Sequence, residues 1–489
     1  MSTSAEQQLL DATQGRLFID GVWIDGENGT FEVFDPSTGK ALKSVADGSA
    51  NDGERALDAA VAAQAGWERT PPRIRGEILR TAFDLLKKRS EEFALLITLE
   101  MGKPLEEARH EVAYGAEYLR WFAEEAVRIG GRYQPTPEGT GQMVITHHAV
   151  GPCFLITPWN FPLAMATRKL GPALAAGCTA VVKPAALTPL TTLAFVQLLA
   201  EAGLPGGVVN VVTTTSPAAL SERLLSDSRL RKVSFTGSTP VGVQLLKQAA
   251  DNVLKSSMEL GGNAPFIVFE DADIELAVRG SILAKFRNIG QACTAANRFF
   301  VHGSVADVFV QRMRTAIEAL VVGPGTEKGV TIGPLIDGKA VSNTQRLVDD
   351  AVARGAELVT GGQALQREGT FFEPTLLDRV RPDMCISREE IFAPVLAVQR
   401  FDTEDEAVRL ANDSNYGLAS YVFTQDFKRG QRMMSRLQTG MLGLNVGVLS
   451  NAAAPFGGVK RSGLGREGGA EGIGEYLETM YTLMPDPFS

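Results

Sequence analysis

Cysteine and histidine are scarce in this chain, four of each among 489 residues. The cysteines at 153, 178, 293 and 385 lie far apart without C-x-x-C spacing, which argues against a zinc knuckle or disulfide framework and for a reducing compartment. The histidines at 110, 147, 148 and 302 form no H-E-x-x-H and meet no cysteine at ligand spacing, so no metal is expected. Long apolar runs are missing too. None reaches the ~18 residues of a spanning helix, and no membrane is expected as a partner. Residues 1–14 lack the basic and apolar regions of a secretory signal, which points to the cytoplasm. No basic cluster offsets the net charge of −9, which argues against a nucleic-acid partner. A few arginines in a pocket would still suit a small anionic substrate.

What is present is an ordinary enzyme-like composition, 44% hydrophobic and 21% charged, with 50 glycines and no repeat. The length exceeds one compact core, so two or three domains are expected. Apolar residues at three-to-four spacing predict helices over 54–65, 74–90 and 105–128. Residues 133–145, punctuated by Pro and Gly, read as a hairpin-like arm. From 150 onward short apolar runs alternate with helices. Strands are predicted at 153–156, 180–182, 208–212 and 233–235, with helices at 163–176, 190–202, 218–225 and 239–250. Strands buried on both faces and joined by helices imply a parallel, doubly wound sheet that binds ligands at its carboxyl ends. A second α/β pattern takes in strands at 264–268, 391–398 and 420–423, and the tail at 476–483 is β-compatible.

Two motifs mislead. Gly333 to Lys339 spells most of a P-loop, but Ala340 stands where the Mg²⁺-binding hydroxyl belongs. Gly463-Leu-Gly465-Arg-Glu-Gly468 spells a dinucleotide fingerprint, but no strand leads into it. The segment Phe235-Thr236-Gly237-Ser238-Thr239-Pro240 follows a strand and opens a helix, where freed amides and the helix dipole suit a pyrophosphate. A plainly capped helix explains it equally well. Asn160 and Lys183 both fall at strand carboxyl ends. Cys293 has small and polar company (Gly290, Gln291, Ala292, Thr294), which fits a groove; a small apolar residue at a helix start is the other reading. Glu259, before the pair Gly261-Gly262, would by itself be a cap or a solvated carboxylate.

Together these segments resemble the aldehyde dehydrogenase superfamily. PWNFP (158–162), KPA (183–185), FTGS (235–238), ELGGN (259–263), GQAC (290–293), EIFAP (390–394) and PFGG (455–458) stand in the family's order along nearly the whole chain. The resemblance implies an α/β fold with three parts. These are a Rossmann-like dinucleotide-binding domain (1–130 and 151–258), an α/β catalytic domain (259–465) and a small β oligomerisation arm (131–150 and 470–489) building a homodimer or homotetramer. It implies Cys293 as nucleophile, Asn160 as oxyanion donor with the Cys293 amide, and Glu259 as the base that activates the hydrolytic water. Lys183 would bind the adenosine ribose, with Gly237 and Ser238 under the pyrophosphate. Glu390 and Phe392 would hold the nicotinamide ribose and ring, and Thr157, Pro158, Trp159 and Leu260 would line the cofactor cleft. Family members favouring NAD often carry Glu three residues after the lysine. Here Ala186 stands there, which makes NADP acceptable beside NAD and slightly favours it.

The nearest likeness is to succinate-semialdehyde dehydrogenases, where Arg168, Arg287 and Ser450 match positions that hold the substrate's distal carboxylate. Glutarate semialdehyde or a broader aldehyde range is the alternative. Glu259 argues against CoA-acylating relatives, and Cys293, Glu259, Asn160 and Lys183 together argue against a retired scaffold that only binds. Ala295 replaces the second cysteine that some relatives use for a regulatory disulfide.

Overall fold

The computed structural model describes residues 4–488; the extreme ends of the first and last predicted segments, 1–3 and 489, lie outside the described residues. Two sheets dominate. The first has five parallel strands in the order Lys255–Glu259, Lys232–Thr236, Cys153–Ile156, Ala180–Lys183, Val209–Val211. The chain builds outward from Cys153–Ile156 to one side, then returns to its other side with Lys232–Thr236 and Lys255–Glu259. That reversal opens a crevice at the carboxyl ends of Cys153–Ile156 and Lys232–Thr236, where open α/β sheets bind ligands. The two strands are in register there, Ile156 opposite Phe235. Every residue of these five strands except Lys255 and Ser256 is buried, which explains their short, unalternating apolar runs.

The second sheet runs Glu357–Thr360, Thr375–Asp378, Val395–Phe401, Ala296–His302, Ala264–Val268, Ala419–Phe423, Met441–Leu444. Its core stacks Phe266 between Phe299 and Phe423, each 4.8 Å away between ring centroids. The sheets are joined through Leu260-Gly261-Gly262-Asn263. A Cβ at Gly262 would stand 2.3 Å from the Cys293 carbonyl oxygen, so only glycine lets this linker pass so close to Cys293.

The segment 133–145 lies within a hairpin, Arg132–Pro135 with Gly141–Ala149, and the tail strand Leu477–Pro485 pairs antiparallel to Gly141–Ala149 along its full length. Among the described residues no helix is long and apolar enough to cross a membrane, and no group of three or more His, Cys, Asp or Glu side chains could hold a metal ion.

Several elements differ from the sequence expectation. Residues 51–129 read as helical throughout, but Ser90–Met101 does not stand out as a separate helix, because eight of its residues are buried and it is apolar nearly all round, which erases the 3.6 period. The strand expected at 391–398 is Val395–Phe401; Pro394 precedes it, and Phe392 has a left-handed φ of 51° that ends any extended run there. Gly463–Leu464 is a two-residue strand antiparallel to Met258–Glu259 in the first sheet, so the end of the 259–465 stretch packs with the cofactor-side sheet rather than the second one. The P-loop look-alike is an Asp337-capped helix, Gly338–Ala353.

Candidate active site

Asn160 sits in the turn after Cys153–Ile156, buried. Its side-chain amide donates to the Gln291 carbonyl at 2.9 Å. Its own carbonyl accepts from Lys103 Nζ at 2.9 Å and from Asn288 Nδ2 at 3.1 Å. Lys103, fully buried, also pairs with Glu111, whose carboxylate accepts the Leu163 and Ala164 amides at the start of the helix Ala164–Ala176. A buried ion pair thus fixes the turn that aims Asn160. Breaking such a pair by removing one partner is strongly destabilising.

Cys293 lies just before the strand Ala296–His302, half-buried, on a cavity of about 260 Å³. The same cavity is lined by Asn160, Arg168, Arg287 and Ser450 from the predicted catalytic and substrate residues, and by Phe161 and Phe456 as apolar walls. Burial and the nearby Glu259 charge push the Cys293 thiol up to about 12, against the pull of Arg168 and Arg287. Glu259 ends its strand buried, and neither carboxylate oxygen has a hydrogen-bond partner. Burial and Glu467 hold its carboxyl well above the usual carboxylate range, although Arg168, Lys169 and Arg466 pull the other way.

Glu467 is the residue the sequence did not reveal. It lies within the glycine-rich 463–468 stretch. Its carboxylate meets Lys169 Nζ at 2.7 Å and Arg168 Nε at 2.9 Å. Burial alone would raise its pKa, but Lys169 and Arg168 outweigh it and the group is held below the usual value. Of the two carboxyls, Glu467 is therefore the one that ionises more readily. The available signal was Arg168-Lys169 itself, two adjacent cations on a helix whose every residue is buried; such charges demand a buried partner. Arg168 lines the cavity as expected, but its charge is already shared with Glu467, and its guanidinium lies 3.9 Å from the Phe456 ring centroid. Arg287 differs. It is half-exposed, stands over Phe161 at 5.6 Å, and makes no ion pair among the described residues.

Toward the other end of the cavity lie Pro158, Trp159, Gly237, Ser238, Leu260 and Phe392, with Glu390. Ser238 is the N-cap residue of the helix Thr239–Ala250 but makes no side-chain cap bond, so the first-turn amides keep no side-chain acceptor from it. A Cβ at Gly237 would stand 2.5 Å from the Phe235 ring. Two buried hydroxyls beside this cradle, Thr157 Oγ1 and Thr236 Oγ1, have no hydrogen-bond partner. Glu390 accepts the Gly262 amide at 3.1 Å; burial pushes it up to about 7, against that bond and Lys285. Phe392 meets Trp159 edge to face, 5.5 Å between centroids. Lys183 and Ala186 follow the neighbouring strand and fall outside the cavity lining; Lys183 Nζ donates to the Pro184 carbonyl, and burial pushes the lysine down to about 8. A helix start without a cap, two orphaned hydroxyls and a cationic strand end suit a dinucleotide's phosphates and ribose.

A parallel sheet with a ligand crevice at its reversal, beside a cavity that Cys293 lines and with Glu259 buried at a strand's end, is the setting of an oxidoreductase site. The chain belongs to the aldehyde dehydrogenase family, whose sequence profile matches residues 23–482. The family works with a nicotinamide dinucleotide. Among relatives, the succinate-semialdehyde dehydrogenase of Paenarthrobacter nicotinovorans is 58% identical over 447 residues, 91% of this chain and 99% of that protein. The glutarate-semialdehyde dehydrogenase of Pseudomonas aeruginosa is 46% identical over 98% of this chain and 99% of its own. A solved Escherichia coli structure, described as an NADP dependent enzyme, superposes with a TM-score of 0.96 at 45% identity, covering 97% of this chain and 99% of that one.

Proposed function

We propose that this enzyme oxidises a small semialdehyde bearing a distal carboxylate, succinate semialdehyde foremost, to the corresponding diacid. Arg287 carries this reading. It is a cation on the cavity that holds Cys293; Glu107 is the acid whose charge reaches it, but the two form no ion pair among the described residues. A forked guanidinium pairs with a carboxylate through charge-assisted hydrogen bonds. Ser450 adds a hydroxyl on the same cavity, and Arg168, tied to Glu467, contributes positive potential to its wall. The Pseudomonas aeruginosa relative keeps glutarate semialdehyde as the alternative, one methylene longer.

In the mechanism, the Cys293 thiol gives its proton to solvent water, and the thiolate attacks the aldehyde carbon. The Asn160 amide and the Cys293 backbone N–H receive the oxyanion. The dinucleotide, when bound, supplies the acceptor for the hydride that leaves this carbon. Gly237 and Ser238 would hold its pyrophosphate, Glu390 and Phe392 its nicotinamide end, and Lys183 its adenosine ribose, with Thr157, Pro158, Trp159 and Leu260 lining the cleft. Cys293 is left as a thioester. Glu259 then takes the proton of the water that hydrolyses it.

Replacing Arg287 with alanine is expected to raise KM for succinate semialdehyde by roughly 10- to 100-fold, the ~1.5–3 kcal/mol of a charged hydrogen-bond partner. KM for an uncharged aldehyde of equal length should barely move, and steady-state kinetics with both substrates checks this. Equal effects on the two would refute the carboxylate clamp.

Ala186 supports use of NADP as well as NAD, because no carboxylate there repels a 2′-phosphate. Ala186→Glu is expected to shift the ratio of kcat/KM values toward NAD by about tenfold or more, since like charges set together cost several kcal/mol. An unchanged ratio would remove position 186 from cofactor choice. The enzyme works in the cytoplasm as a homodimer or homotetramer. The edge strand Leu477–Pro485, with exposed Met480, Tyr481 and Leu483, supports assembly through the arm.

A further inference from the structure

The segment that carries both Arg287 and Cys293 begins with an unusual turn. Asn288 (φ 54°, ψ 32°) and Ile289 (φ 61°, ψ 24°) are left-handed, and Gly290 follows at φ 73°. Glycine enters this region freely. An L-residue enters it against a steric cost, and a β-branched one is a true outlier. Such a conformation persists only where the surroundings over-determine it.

Gln291 N–H donates to the Asn288 carbonyl at 2.9 Å. Asn288 Nδ2 donates to the Gln291 carbonyl at 2.8 Å and to the Asn160 carbonyl at 3.1 Å. The Gln291 side chain accepts the Ile336 amide at 3.0 Å. All of these lie on the Cys293 side of the turn. On the Arg287 side the Ile289 N–H donates to the Phe286 carbonyl at 3.0 Å, and the side-chain anchor is Glu107, whose carboxylate accepts the Asn288 backbone N–H at 2.6 Å. Glu107 lies in the first turn of the helix Leu105–Glu125, where a helix dipole favours a negative charge. Burial pushes the Glu107 carboxyl up to about 7, against the pull of Lys103, the Asn288 amide and Arg287; once ionised it gives the Asn288 N–H one of the stronger hydrogen bonds available to a backbone. Glu107 and Asn288 also share with Arg287 the wall of a second hollow, next to the Cys293 cavity.

We infer that Glu107 is a positioning residue for the reaction: by holding the Asn288 amide it locks the left-handed turn and so sets where Arg287 and Cys293 point into the cavity. It does not line the Cys293 cavity itself. The inference rests on the proposed roles of Cys293 and Arg287 and extends them to what holds these two groups in place.

The test is a double-mutant cycle between Glu107 and Ile289 on the full-length enzyme, read with succinate semialdehyde and an uncharged aldehyde of equal length. Glu107→Ala is expected to lower kcat/KM for the semialdehyde by about 10- to 100-fold, the cost of a small misplacement of reacting groups. KM for the semialdehyde should rise more than KM for the uncharged aldehyde, because Arg287 moves with the turn. Glu107→Gln keeps an acceptor oxygen and should recover most of the loss. Ile289→Gly removes the steric demand at the turn, so Glu107→Ala should cost markedly less in that background. Additive effects, or Glu107→Ala at wild-type kinetics, would overturn the inference. Glu107→Met, of similar length without an acceptor, runs in parallel in case the alanine variant fails to fold. If neither folds while Glu107→Gln performs as wild type, Glu107 serves the fold rather than the site, and the inference falls. Cys293→Ser and Arg287→Ala report separately: if both behave as wild type, the functional reading has failed; if both lose activity while the cycle is additive, only the role of Glu107 has.

Discussion

Cys293→Ser is expected to lower turnover by about four orders of magnitude or more, while the protein still binds its dinucleotide. The size follows from the chemistry: without a thiol no covalent intermediate forms, and the other groups of such a unit contribute little once the nucleophile is gone. The resting thiol is held up to about 12 by burial and the Glu259 charge. At neutral pH it is therefore protonated, and the thiolate fraction grows as pH rises. Alkylation of Cys293 by iodoacetamide in the dinucleotide-free enzyme should accordingly be slow at neutral pH and accelerate with pH. Mass mapping of the labelled cysteine against time checks this. Cys153 and Cys178 are fully buried and should stay unlabelled in the folded protein. A serine variant with ordinary turnover would remove Cys293 from the mechanism.

Glu259→Gln is expected to separate the two halves of the reaction. Acylation should still deliver a burst of reduced dinucleotide of about one per site, after which turnover falls by roughly 10²- to 10⁴-fold, the usual contribution of a positioned base. The charge cluster adds a pH signature. Burial, reinforced by the Glu467 anion that Lys169 and Arg168 stabilise, holds the Glu259 carboxyl above the normal carboxylate range. A base must be unprotonated to work, so kcat should climb with pH as Glu259 loses its proton. The glutamine variant should lose this rising limb. Stopped-flow traces across pH measure burst and limb together; unchanged steady-state turnover would reject Glu259 as the base.

Much of this was legible in the sequence, for local reasons. The strands Cys153–Ile156 and Ala264–Val268 are short apolar runs, and the helix Thr239–Ala250 opens at a Gly-Ser-Thr-Pro signal; their observed bounds match the expected ones. Asn160, Gly237, Cys293 and Glu390 belong to motifs each only a few residues long, Arg287 lies just ahead of one, and the fold brings all five to one cavity. What escaped depends on long-range pairing. Glu467 and Lys169 are 298 positions apart, and nothing local tells that glutamate from a surface charge. Arg168 reads as a free substrate contact until Glu467 is placed beside it. Lys103 and Glu111 look like exposed helix charges, yet both are buried under the turn that carries Asn160. The left-handed Asn288 and Ile289 carry no sequence signal, since neither is the glycine that such a turn would ordinarily announce.

The central claim is that a cysteine dehydrogenase site has been fitted with a cationic end for a carboxylate. The most direct measurement is kcat/KM for succinate semialdehyde beside that for an uncharged aldehyde of the same chain length, each with NADP and with NAD. The account predicts a preference for the semialdehyde of roughly tenfold or more with either nucleotide, the worth of one charged hydrogen-bond partner. Equal values for the two aldehydes, or oxidation of neither, would contradict it.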